Sequence, residues 1–106
     1  NSMLSSIKSI IDKKKNGITI TSNMLNLEIE YISKTLEIMR DAQKISNDAY
    51  LDSGSIQGGL TVVSSLLEQN IPDTEIDSLM QTLNFRAINL EDKYPGLNAI
   101  LESYRP

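Results

Sequence analysis

Apolar residues recur at helical spacing along most of this chain, and this periodicity restricts its fold more than any other feature. The first stripe has the i, i+4, i+7 spacing of one helix face and consists of Met3, Leu4, Ile7, Ile10 and Ile11. Three lysines at 13–15 and then Gly17 follow it, which is typical of a helix C-terminus. The pattern therefore predicts an amphipathic first helix that ends near Gly17.

The most regular pattern predicts a long second helix, over about residues 23–51. Spacings of four and three residues alternate along an a/d seam of Leu25, Ile29, Ile32, Leu36 and Met39. A second apolar stripe lies beside the seam and consists of Met24, Leu27, Tyr31, Ile38, Ala42, Ile45 and Ala49. At about 1.5 Å per residue this helix would be about 44 Å long. Two apolar faces predict contacts on more than one side, so the helix either projects from the domain or forms the spine of a bundle.

Weaker signals complete the expected fold. The Ser-Gly-Ser run at 53–55 interrupts the pattern, and a third stripe follows at Ile56, Leu60, Val63 and Leu67. Gly58 and Gly59 either permit a close helix–helix approach or precede the true start of this third helix. Pro72 opens a fourth helix and Pro95 a short last one. We predict an all-α, compact bundle of four main helices plus a short C-terminal helix, as one domain over residues 1–106.

The start of the chain has two interpretations. Asn1 and Ser2 are either an artificial addition ahead of a native start at Met3, or the first residues of a domain cut from a longer protein.

The composition removes several classes of function. The chain has no His, Cys or Trp, and 14 acidic residues against 10 basic ones give a net charge of −4. Without imidazole or thiolate, we expect no enzyme, no metal site, no cofactor and no small-molecule ligand. The negative charge disfavours nucleic acid as a partner, and the absence of cysteine suits a cytoplasmic protein. The longest uncharged stretch, 53–67, is too short and too polar to span a membrane.

One acidic motif has the start of a calcium-binding loop. Asp73, Glu75 and Asp77 alternate as the first ligands of an EF-hand do, but Ser78 and Asn84 stand where that loop needs Gly and Glu. We therefore interpret these carboxylates as the acidic N-terminus of the fourth helix, where they complement its dipole.

Interaction with another protein, or with a second copy, is the function that remains. The candidate surface is the seam together with the first stripe: Leu25, Ile29, Ile32, Leu36, Met39, Met3, Leu4, Ile7 and Ile11. The alternative for these residues is that they form the core of the chain's own bundle. The alternative function is a regulatory DNA-binding domain with a helix-turn-helix-like segment at 60–93, which would need a basic face from Arg86, Lys93 and Arg105.

Overall fold

The computed structural model describes residues 3–106, and side chains from Ile7 onward. Asn1 and Ser2, and with them both interpretations of the chain start, lie outside this part. The described chain is all-α, and its five helices are α1 (Met3–Lys15), α2 (Ser22–Asp41), α3 (Asn47–Glu68), α4 (Asp73–Lys93) and α5 (Leu97–Ser103). The prediction of four main helices and a short C-terminal one is confirmed.

The five helices form a closed ring around one core. The main contacts join α1 to α4, α4 to α3, α3 to α2, α2 to α5, and α5 back to α1. All five helices, and Ile20 in the α1–α2 connection, contribute apolar side chains that are at most 7% exposed. Within the described part of the chain, no helix combines the length and apolar character needed to cross a membrane.

The predicted long helix over 23–51 is wrong, because the chain turns after Asp41 and starts α3 at Asn47. Gln43 adopts a left-handed φ of +58°, and Lys44 N–H donates to Met39 O at 2.8 Å. This pairing is that of a Schellman C-terminus. The sequence gives little sign of it, since glutamine stands where glycine or asparagine usually takes this conformation. The apolar pattern continues through the turn because Ile45 packs against the core.

The predicted break at 53–55 is also wrong, since α3 continues through it. Ser53 is fully buried, and its hydroxyl donates to Ala49 O at 2.6 Å within the same helix. The start of α3 lies upstream, where the Ser46 hydroxyl accepts a hydrogen bond from Ala49 N at 3.1 Å. A serine at this N-cap position satisfies one of the free N–H groups of the first turn.

The two adjacent glycines of α3 have different surroundings. A Cβ on Gly59 would overlap the Leu83 side chain of α4, which is fully buried. A Cβ on Gly58 would meet no atom within 4 Å. Of the two readings left open by the sequence, the close helix–helix approach is therefore correct, and Gly59 alone provides it.

The short helix α5 is held in place by side chains from its neighbours. The Glu91 carboxylate accepts hydrogen bonds from Gly96 N at 2.8 Å and Asn98 N at 3.0 Å, at the N-terminus of α5. The Tyr31 hydroxyl donates to Leu101 O at 2.8 Å. Seven residues are too few for a stable isolated helix, so these contacts define its position.

Arg105 extends this attachment beyond the end of α5. Its guanidinium lies 4.0 Å from the centre of the Tyr31 ring. Its two terminal nitrogens donate to the Glu28 carboxylate at 2.7 and 3.3 Å, and its Nε donates to Glu102 at 3.1 Å. This combination of a bidentate ion pair and a cation–π contact ties the C-terminal segment to α2.

The two glycines provide a matched test of helix packing. We expect Gly58→Ala to raise the free energy of unfolding by up to about 1 kcal/mol, because alanine has the higher helix propensity. We expect Gly59→Ala to lower it by about 1–2 kcal/mol, because the added methyl overpacks the α3–α4 contact. Urea unfolding of both variants measures the difference. Equal stabilisation by both substitutions would contradict the close approach.

The Arg105 contacts predict that the loss of this side chain affects α5 more than the other helices. We expect Arg105→Ala to destabilise the protein by about 1–2 kcal/mol and to speed amide exchange in α5. Arg40→Ala is the control, because Arg40 also stacks on a tyrosine, with 4.4 Å from its guanidinium to the Tyr50 ring, but forms its ion pairs within α2, to Glu37 and Asp41. Hydrogen exchange followed by NMR measures the amide exchange rates of α5 in both variants. Faster exchange in α5 of Arg40→Ala as well would contradict a specific attachment by Arg105.

Candidate interaction surface

The candidate surface residues with described side chains lie in the chain's own core. Leu25, Ile32, Leu36, Met39 and Ile7 are at most 1% exposed. Ile29 and Ile11 are partly buried and pack against the same core. Met3 and Leu4 fall among the residues whose side chains are not described. The described residues of the seam therefore belong to the core, which was the alternative interpretation of this stripe, because the other helices of the ring cover them.

The second apolar stripe of α2 has a different position. Leu27 is 72% exposed and Ile38 51% exposed, whereas Tyr31 between them lies half-buried beneath Arg105. The prediction that this helix is contacted from more than one side is correct for α2, since the core covers one face and α5 contacts another. Most of the second stripe nevertheless remains at the surface. We call the exposed strip of Leu27, Glu30, Lys34 and Ile38 the outer face of α2.

A groove lies between α3 and α4, with a volume of about 300 Å³. Its floor consists of the core residues Ile56 and Leu90. Its rims carry Leu51, Asp52 and Ser55 from α3, and Arg86, Asn89 and Lys93 from α4. Leu51 is 69% exposed, so a large apolar side chain stands open beside an apolar floor. We call this the α3–α4 groove.

Hydrogen bonds organise the charges at one end of this groove. One oxygen of the Asp52 carboxylate accepts from the Tyr94 hydroxyl at 2.7 Å and from the Lys93 ammonium at 3.0 Å. The Tyr94 bond, and then the Lys93 bond, hold the pKa of Asp52 below its ordinary value. The same carboxylate raises the pKa of both Tyr94 and Lys93.

Arg86 stands apart from this cluster. Among the described residues it forms no ion pair, whereas Lys93 is compensated by Asp52. Arg86 is therefore the cation of the groove that forms no ion pair with the described residues, and it lines the groove together with Leu51. No local pattern in the sequence indicates this site, because its apolar and cationic side chains come together only when α3 and α4 pack antiparallel.

The acidic motif at the start of α4 lies away from the groove. Asp73 is the first residue of the helix and Glu75 lies in its first turn, as interpreted from the sequence. Asp73 and Asp77 lie 3.3 and 3.4 Å from the Lys14 ammonium of α1. Their carboxylates thus join two helices. Within residues 3–106, no three acidic side chains cluster as metal ligands would.

The segment at 60–93 differs from a helix-turn-helix. It consists of the end of α3, a turn and all of α4. Gly59 meets Leu83, and farther from the turn Asp52 meets Lys93, so the helices lie alongside each other. Helix-turn-helix pairs instead cross at about 90–120°.

The three cations expected on a DNA-binding face are also separated. Arg86 and Lys93 line the α3–α4 groove, whereas Arg105 is engaged with Glu28 of α2. No shared basic surface of these three residues is formed.

Comparisons of the chain with models of protein families, with curated proteins and with solved structures found no match.

The Asp52 cluster predicts a specific pH dependence. Because the pKa of Asp52 is lowered in the folded protein, its contribution to stability is present above the unfolded pKa and is lost as the pH falls through the folded pKa. We expect Tyr94→Phe to raise the pKa of Asp52 toward its ordinary value, since the first of its two hydrogen bonds is removed. An NMR titration of the Asp52 carboxyl carbon measures this. An unchanged Asp52 pKa in Tyr94→Phe would contradict the hydrogen-bond assignment.

Proposed function

We propose that this chain is a non-enzymatic, cytoplasmic protein-interaction module that binds an acidic amphipathic helix of another protein in the α3–α4 groove. The observation that carries the proposal is that exposed Leu51 lines the same groove as Arg86, which forms no ion pair among the described residues, above a floor of core side chains. Grooves between two helices are a recurring site for amphipathic partner helices. The missing His and Cys support an interaction role over a catalytic one.

The apolar part of the groove determines how a partner would be anchored. Ile56 and Leu90 lie at its floor, so an inserted aliphatic side chain would contact core atoms already held in place. Leu51 adds exposed apolar area at the rim, and covering it on binding removes that area from water. Preformed apolar pockets with few polar groups are the usual form of such anchor sites.

The charged part of the groove determines the sign of the partner. Arg86 offers a planar guanidinium that forms no ion pair with the described residues, and it suits a carboxylate that approaches from solvent. Lys93 is already bound to Asp52 and adds little net charge. A partner helix with a glutamate or aspartate about one turn from its apolar anchor fits both features of the groove.

Two designed peptides test this proposal. Each spans about four helical turns, or about 21 Å, with a leucine stripe, and the remaining positions are glutamate in one peptide and lysine in the other. We expect the glutamate peptide to shift the NMR signals of groove residues and to bind more tightly. Arg86→Glu should weaken binding of the glutamate peptide about tenfold or more, and this variant should bind the lysine peptide more tightly than the glutamate peptide.

Matched variants locate the contact. Leu51→Ala should weaken binding, whereas Leu27→Ala, which truncates an equally exposed leucine on α2, should not. Lys8→Glu, at an exposed cation on α1, makes the same charge change as Arg86→Glu and should leave the preference for the glutamate peptide intact. Equal binding of both peptides, or insensitivity to Arg86→Glu, would overturn the proposal.

A further inference from the structure

The outer face of α2 carries two exposed aliphatic side chains in a symmetric arrangement. Leu27 and Ile38 lie 11 residues apart, or about three turns, on the same side of the helix. They are 72% and 51% exposed, and none of the ring's other helices covers them. Between them lie Glu30 and Lys34, whose side chains meet at 2.8 Å.

We propose that this face binds the same face of a second copy of the chain, with the two α2 helices antiparallel about a two-fold axis. An axis that passes midway between Leu27 and Ile38 places Leu27 of each copy opposite Ile38 of the other. The two aliphatic side chains of each copy are then covered together. A two-fold interface of this kind closes on itself and needs no further surface.

The charges on the outer face of α2 suit this pairing. In that register Lys34 of one copy lies about 1.5 Å along the helix axis from Glu30 of the other, but about 4.5 Å from the other Lys34. Each lysine can therefore reach a glutamate of its own chain and one of the second copy. Glu30 and Lys34 are 60% and 71% exposed, so both are free to form the added contact.

The rest of the face is consistent with this register. Met24, which is 39% exposed, lies on the same edge of α2 as Tyr31; in this register it lies level with Asp41 of the second copy and about 4.5 Å along the helix axis from Ile38. Tyr31 and Arg105 border that edge and are held by their own contacts, so the surface is formed before association. Preformed contacts reduce the entropy lost on binding.

The size of the outer face of α2 determines how strong a dimer we expect. One helix of 20 residues is about 30 Å long, so two such faces bury less area than the roughly 1,200–2,000 Å² of stable complexes. We therefore expect a weak dimer, with a dissociation constant between about 10 μM and 1 mM.

Sedimentation equilibrium from low micromolar to millimolar concentration tests the dimer. We expect the mass to rise toward twice that of the monomer in the wild-type chain and to stay monomeric in Leu27→Asp. Leu51→Asp is the matched control, because it places the same charge on an equally exposed leucine of α3. A wild-type monomer at millimolar concentration would overturn the inference, as would a dimer that Leu51→Asp disrupts and Leu27→Asp does not.

A charge exchange tests the register. Glu30→Lys and Lys34→Glu should each weaken the dimer, because each places like charges across the axis, whereas the double variant should restore it. Failure of the double variant to restore association would reject the antiparallel register. These variants lie outside the α3–α4 groove, so peptide binding there succeeds or fails independently of the dimer.

Discussion

The fold depends on the burial of one apolar stripe from each helix around the seam of α2. The chain has no cysteine, so disulfides are absent and the core must hold the helices together. Leu25, Ile32 and Leu36 are at most 1% exposed, and the ring of α1, α4, α3, α2 and α5 closes around them. Because this seam is fully used inside the chain, any interaction must rely on residues that face outward. Because the seam is buried, it stabilises the fold, and only the outward-facing residues remain for binding.

Helical periodicity predicted the fold class and the number of helices, but it could not place every helix end. The ends that carry ordinary signals were predictable: Gly17 has a φ of +76°, and the three lysines lie in the last turn of α1. The turn after Asp41 was not, because Gln43 takes the left-handed conformation without the glycine that usually marks it. The Ser-Gly-Ser run at 53–55 has the opposite effect, because it predicts a helix end where α3 continues. Ser53 satisfies its hydroxyl on the preceding turn of α3, so a residue typical of loops stays inside a helix.

The candidate sites were only partly predictable, for a related reason. Periodicity shows that a helix has an apolar side, but α2 has two, and the sequence alone does not say which one faces the core. The more regular seam, whose spacing fits either an interaction surface or a core, lies in the core; Leu27 and Ile38 of the second stripe are exposed. The α3–α4 groove depends on residues distant in sequence, such as Leu51 and Arg86, and no local pattern brings them together.

The proposed partner site in the α3–α4 groove and the proposed dimer site on the outer face of α2 lie on different helices of the ring. In the order of the ring α3 lies between α2 and α4, and the outer face of α2 shares no residue with the α3–α4 groove. A dimer through α2 would therefore leave both grooves open to partner helices. Two grooves held in one assembly raise the apparent affinity for a partner that presents two copies of its helix, provided that the spacing matches. A weak dimer and a weak groove–helix contact would then together give tighter binding to partners that present two helices than to partners that present one.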